Sequence, residues 1–206
     1  MQKIMFNEQF GLQQATFDRL KTMTRRVVPE KTMDAWYDYA DWVASVGMPQ
    51  GVPCYTESME EFLINRAPYK VGEIVAIAQS YRELSSDDNP LLILGDEIDY
   101  LGMSILKSAK ETAGWNNKMF VKAEHMPHHI RIVHIKVEAL GAISYHDCLR
   151  EGIIYTGSGY TCYQQGVLPL FRNPYAAFKA LIDKLNRRGF FESNPIVYAY
   201  QYELVD

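Results

Sequence analysis

The sequence predicts an α+β chain, mainly β: a small mixed β-barrel with peripheral helices and two insertions, at about 29–68 and 82–117. Strand-like stretches outnumber helical ones. They are joined by irregular connections, not by regularly spaced helices, which argues against a doubly wound parallel sheet. The length, 206 residues at 48% hydrophobic, suits a single domain with a substantial core.

Each element follows from local pattern. Leu12, Ala15, Thr16 and Leu20 fall at helical spacing, so a short helix is expected around 9–20. It feeds Lys21-Thr22-Met23-Thr24-Arg25-Arg26, where spaced threonines favour an extended backbone. The first insertion mixes Trp36, Tyr37, Tyr39, Trp42 and Tyr55 with Gly47, Pro49, Gly51 and Pro53. It reads as irregular and aromatic-rich, with a short helix near 59–65. After the turn Lys70-Val71-Gly72-Glu73 comes a compact buried strand, Ile74 to Ala78. The second insertion is acidic at first and more helical near 105–112.

Ile130 to Ala139 is the clearest strand, with Val133, Ile135, Val137 and Ala139 on one face and His134, Lys136 and Glu138 on the other. Ser144 caps a short helix that Gly152 ends. After a Gly- and Tyr-rich loop over 155–172, Asn173-Pro174 opens the best helix, with Ala177, Phe178, Leu181, Ile182 and Leu185 as its stripe and Gly189 as its stop. Ile196 to Leu204 closes the chain as a strand whose Tyr198, Tyr200 and Tyr202 read as core. The strands near 74–78, 131–139 and 196–204 are expected in one sheet system, with Val75, Val133, Ile135 and Val137 buried.

Composition excludes several classes. No apolar run reaches the length of a membrane span and no signal-peptide core is visible, so a soluble, cytoplasmic protein without a membrane partner is expected. Cys54, Cys148 and Cys162 are too few and too scattered for a disulfide framework and are expected as reduced thiols. A formal net charge of −4 excludes a chain coated in basic residues for nonspecific DNA binding, so any nucleic-acid contact must use a local patch. Walker and dinucleotide fingerprints are absent, and no cofactor is expected. His125, His128, His129 and His134 make a poor metal set. His128 and His129 would point apart in a strand, and no acidic or Cys ligand is suitably spaced, so no metal is expected.

The candidate site starts from the basic strand. Two hydroxyls and three cations within six residues offer an anion or a polar heterocycle both hydroxyl donors and guanidinium forks. Arg25, Arg26, Lys122 and Arg131 are candidate phosphate contacts, with Tyr or Trp rings stacking on a base. Thr24 is a nucleophile only if a base takes its proton, and Lys21 supplies one if burial lowers its pKa. Otherwise Lys21 binds a phosphate or carbonyl oxygen and Thr24 a base edge. Glu151 sits at the last turn of its helix, where the negative helix end disfavours an ionised carboxylate and suits it to proton donation.

Four blocks occur in a telling order: Lys21-Thr22-x-Thr24-Arg25-Arg26; Val71-Gly72-Glu73-Ile74-Val75; Met126-Pro127 through Arg131-Ile132 and Val137-Glu138 to Ile143-Ser144 and Glu151-Gly152-Ile153; and Glu192 to Tyr198. Together they resemble the ASCH-domain family, a PUA-like β-barrel group, especially its longer phage- and prophage-associated members. The blocks cover roughly half the chain, and neither insertion matches. The resemblance implies a cleft that binds RNA or a modified nucleoside. One small family member is an acetylcytidine amidohydrolase using a lysine, a threonine and a glutamate, and the match places these on Lys21, Thr24 and Glu151, with Thr22 and Arg26 matching beside them. The alternatives are thus an amidohydrolase that removes an acyl group from a cytidine-like amine, and a noncatalytic phage-derived protein docking a partner through the aromatic insertion. The chain departs from the family by Arg19-Leu20, where Gly-Arg usually precedes the lysine, and by Ala78-Gln79, where many long members carry Arg-Glu.

Overall fold

The computed structural model describes residues 1–46, 56–84 and 113–205. Most of the second insertion, including the helical stretch expected near 105–112, lies outside the described residues, as do Cys54 and Tyr55. In chain order the strands are β1 (Lys3–Ile4), β2 (Met23–Val27), β3 (Ile74–Ile77), β4 (His129–Ala139), β5 (Ile153–Tyr155), β6 (Tyr160–Cys162) and β7 (Ile196–Leu204). The helices are α1 (Leu12–Phe17), α2 (Glu30–Val46), α3 (Met59–Asn65), α4 (Tyr81–Leu84), α5 (Tyr145–Arg150) and α6 (Pro174–Leu185).

Five strands form one mixed sheet in the order β1-β3-β4-β7-β2, parallel only between β1 and β3. β5 and β6 make a separate hairpin. The three strands expected to share a sheet do so. No closed barrel forms among the described residues, because the edge strands β1 and β2 are not paired with each other. Helices also claim more of the chain than a mainly β reading allows.

The largest difference lies in the first insertion. Residues 30–46, expected to be irregular, are one 17-residue helix. Met33, Trp36 and Tyr39 recur at helical spacing and pack against the core, Trp36 and Tyr39 on the ring of Phe62 at 5.4 and 5.2 Å. Part of the expected docking surface is therefore packing surface, while Tyr37, Trp42 and Val46 stay exposed. The helix over 59–65 forms as expected, with Ser58 and Glu61 closing a capping box.

β4 corrects the expected burial pattern. Ile130 and Ile132 are fully buried, then Ile135, so the inward parity changes within one strand. The register against β7 shifts between Ile132 and His134, leaving Val133 as an extra, half-buried residue in a bulge. A simple alternation cannot register that insertion, because one extra residue moves every later side chain to the other face. From Ile135 onward the expected faces hold. Val75 is buried, while Val137 is half-buried against the core. Tyr198, Tyr200 and Tyr202 are core residues.

The caps that aim the site form as read. Ser144 accepts from the Asp147 N–H at 3.0 Å, and Asn173 accepts from the Ala176 N–H at 2.8 Å with Pro174 opening α6. α6 ends at Leu185 with Asn186 as its C-cap, before Gly189. Among the described residues no helix is long and apolar enough to cross a membrane.

Ile132→Ala is expected to cost about 2–5 kcal/mol, because lost burial is compounded by a cavity. Val133→Ala, at the bulge, is expected to cost less. Urea midpoints at constant slope measure both, and the reverse ranking would contradict the bulge.

Candidate functional site

Lys21 enters the site from the turn after α1. Arg19 N–H bonds Thr16 O at 3.0 Å and Leu20 N–H bonds Ala15 O at 2.9 Å, the paired bonds of a Schellman ending. Arg19 holds the left-handed position of that ending, φ 59°. Glycine is the unstrained residue at such a position. The chain keeps the turn at a cost in backbone strain.

Lys21 is 2% exposed, and three oxygens surround its ammonium: Met23 O at 2.7 Å, Glu151 O at 2.9 Å and Glu151 Oε2 at 2.7 Å. Phe6 places its ring centroid 5.7 Å from Nζ. Burial pulls the Lys21 pKa below the ordinary lysine range; Glu151 opposes that shift, and the charges of Arg26 and Arg25 add to it.

Glu151 is the C-cap of α5, and Gly152 turns the chain at φ 98°. A Cβ on Gly152 would stand 3.0 Å from Leu12 Cδ2 and 3.5 Å from Lys21 Cδ, so both the backbone angle and the space call for glycine. The Glu151 carboxylate is not an isolated helix-end group. Oε2 accepts from Lys21 and Oε1 accepts from Arg25 Nη1 at 3.0 Å.

Arg25 is the hub of an ion network. Its Nε and Nη2 donate to Glu138 Oε1 at 2.9 and 2.6 Å, and Nη2 also reaches Asp147 Oδ2 at 3.1 Å. Lys136 Nζ lies 3.0 Å from both Asp147 Oδ2 and Glu138 Oε2. Three cations thus face three carboxylates. Burial opposes the charge of Arg25, but Glu151 and Glu138 outweigh it and hold the guanidinium pKa above its ordinary value. Burial likewise pushes Asp147 up, yet hydrogen bonding and charge from Lys136, with Arg25, hold it below the usual carboxylate range. The guanidinium of Arg25, expected to contact phosphate, is instead held by three protein carboxylates, and its side chain is 1% exposed.

A cleft of about 440 Å³ brings together Lys21, Thr24, Arg26 and Glu151. Met5, Phe6, Asn7 and Lys118 line one side, and Ile182, Leu185 and Phe190 of α6 and its following turn contribute an apolar wall. Arg26 Nη2 donates to Met5 O at 2.5 Å, bridging the gap between the two sheet edges. The register places Thr24 opposite Tyr200 and Arg25 opposite Ala199, so the hydroxyl and the guanidinium leave opposite faces of β2. The Thr24 hydroxyl bonds neither Lys21 nor Glu151, whose polar atoms pair with one another, with Met23 and with Arg25.

Other expected contacts lie elsewhere. Thr22 Oγ1 accepts from Arg150 Nε at 3.1 Å. Lys122 is exposed with Glu124 3.7 Å away, and Arg131 pairs with Glu203 at 2.9 Å on the outer face of β4. None of Thr22, Lys122 and Arg131 lines the cleft, and neither do Ala78 and Gln79, which are buried. Sequence reasoning missed Lys136, Glu138, Asp147 and Lys118 as site residues. The first two were visible as the polar face of β4, and the third lies three residues after the Ser144 cap of α5, but nothing local joins them to Arg25. Lys118 Nζ contacts Phe6 O, Glu8 and Gln13, a convergence of distant segments.

No family model matches this chain, and no curated protein and no solved structure matches it.

Arg25→Ala is expected to cost about 3–5 kcal/mol, since it strands buried carboxylates, and urea unfolding measures it. Asp147 adds a pH signature. Its folded pKa lies below the unfolded value of about 3.9, so its stabilisation is present above that value and is lost as pH falls through the folded one. Asp147→Asn should flatten that acid limb in unfolding followed down to about pH 2. An unaltered limb would remove Asp147 from the network's energetics.

Proposed function

We propose that this chain is a PUA-like protein of the ASCH type whose cleft binds a nucleoside or a single modified base of RNA. The observation that carries the reading is the cleft itself. It is concave, at about 440 Å³ falls in the size range of small-molecule pockets, and sets cations and a hydroxyl beside an apolar wall. That combination suits a flat ring with a polar periphery. A long RNA track is less well supported, because Lys122 and Arg131 sit outside the cleft with carboxylates near them.

A second reading, amide hydrolysis, is favoured by one observation: Lys21, Thr24 and Glu151 line the same cleft, and burial lowers the pKa of Lys21. In that reading neutral Lys21 takes the Thr24 proton, and Oγ1 attacks the amide carbon. The proton taken by Lys21 passes to Glu151, 2.7 Å away, and from Glu151 to the departing amine, and water then hydrolyses the acyl-threonine ester. Lys21 must release its present oxygen partners to act as the base. Binding therefore stands first.

A thermal-shift and calorimetric series with cytidine, acetylcytidine and the other common nucleosides tests the first reading. Stabilisation by at least one of them, weakened in Arg26→Ala, is expected; none by any would overturn it. For hydrolysis, Lys21→Ala, Thr24→Ala and Glu151→Gln should each lower acetylcytidine turnover roughly a hundredfold or more, and non-additively. Wild-type protein that leaves acetylcytidine intact would reject catalysis and leave binding standing.

A further inference from the structure

We propose that the outer main-chain edge of β2 reads the ring of the ligand, with Arg25 C=O as acceptor and Val27 N–H as donor; this rests on the nucleoside reading of the cleft. The alternation of an antiparallel pair decides which groups are available. Tyr202 N–H bonds Thr22 O and Val28 N–H bonds Ile196 O, both at 3.0 Å, so the even-numbered residues of this segment make the ladder to β7. The odd-numbered residues Met23, Arg25 and Val27 turn their N–H and C=O groups away from β7. β2 is an edge strand, with no second strand beside it among the described residues.

Lys21 Nζ already takes the outward carbonyl of Met23 at 2.7 Å. Pro29 follows closely and has no N–H. Arg25 and Val27 remain, and both border the cleft. A stretch this short is a poor template for an extended peptide, which needs a run of such groups. It does suit a planar heterocycle carrying a donor and an acceptor close together on one edge. The ligand class is therefore a base whose hydrogen-bonding edge is unblocked, held by main chain that substitution of side chains cannot erase.

Proline at position 27 tests this, because it deletes an N–H that makes no ladder bond. Calorimetry would compare Val27→Pro with Val27→Ala, which keeps the N–H, using cytidine and its dimethylamino analogue, which has lost both exocyclic N–H donors. Wild-type protein should bind cytidine about tenfold or more tightly than the analogue, and Val27→Pro should bind cytidine about tenfold more weakly than Val27→Ala. Where Val27→Pro fails to fold by circular dichroism, the two ligands on wild-type protein decide alone. Equal affinities for cytidine and the analogue, or for a folded Val27→Pro and Val27→Ala, would overturn edge reading while leaving the cleft a nucleoside site. No binding of any nucleoside by wild-type protein would overturn both.

Discussion

Arg25 carries a guanidinium that is almost wholly out of water, and the site is arranged around satisfying it. A buried guanidinium without partners would cost several kcal/mol, so β4 contributes Glu138 and α5 with its cap contributes Asp147 and Glu151. Those bonds tie the edge strand β2 to the long central strand and to the helix that covers it. They also fix one oxygen of Glu151, which leaves the other for Lys21. Lys136 completes the charge balance by facing Glu138 and Asp147. The cleft floor is thus held by ionic geometry before any ligand arrives.

That arrangement bears on chemistry. A lysine surrounded by three acceptors is well placed to hold a fixed charge beside a ligand and poorly placed to give up its proton. Burial pulls the other way by disfavouring the charge. The balance between these opposing effects separates a binding cleft from a hydrolytic one, and Thr24, with its hydroxyl free of both Lys21 and Glu151, fits either role.

The sheet supplies the opening. β1 and β2 end the sheet at opposite edges without pairing, and the cleft is bordered by the segment after β1 and by β2, with Arg26 reaching across to Met5. The bulge at Val133 keeps apolar residues facing the core along all of β4 while letting Lys136 and Glu138 face Arg25. Without that extra residue, a core-facing Ile132 would force Lys136 and Glu138 to the core side, and the ion network would lose two members.

Local pattern determined a good deal by itself. The basic strand, the capped helices α5 and α6, and the strands β3, β4 and β7 were all legible, because capping and alternation act over a few residues; nothing local joins Lys21, Thr24 and Arg26 to Glu151, which meet in one cleft. The α2 pattern was present in Met33, Trp36 and Tyr39 but was masked by nearby aromatic, Gly and Pro residues. Only the tertiary structure decided the rest. The bulge that reverses β4's parity is one extra residue with no distinctive side chain. The partners of Arg25 lie more than a hundred residues away in sequence, and which carboxylates meet a buried cation depends on how strands and helices are brought together. The openness of the sheet is likewise a question of which edges pair, and no segment carries that information alone.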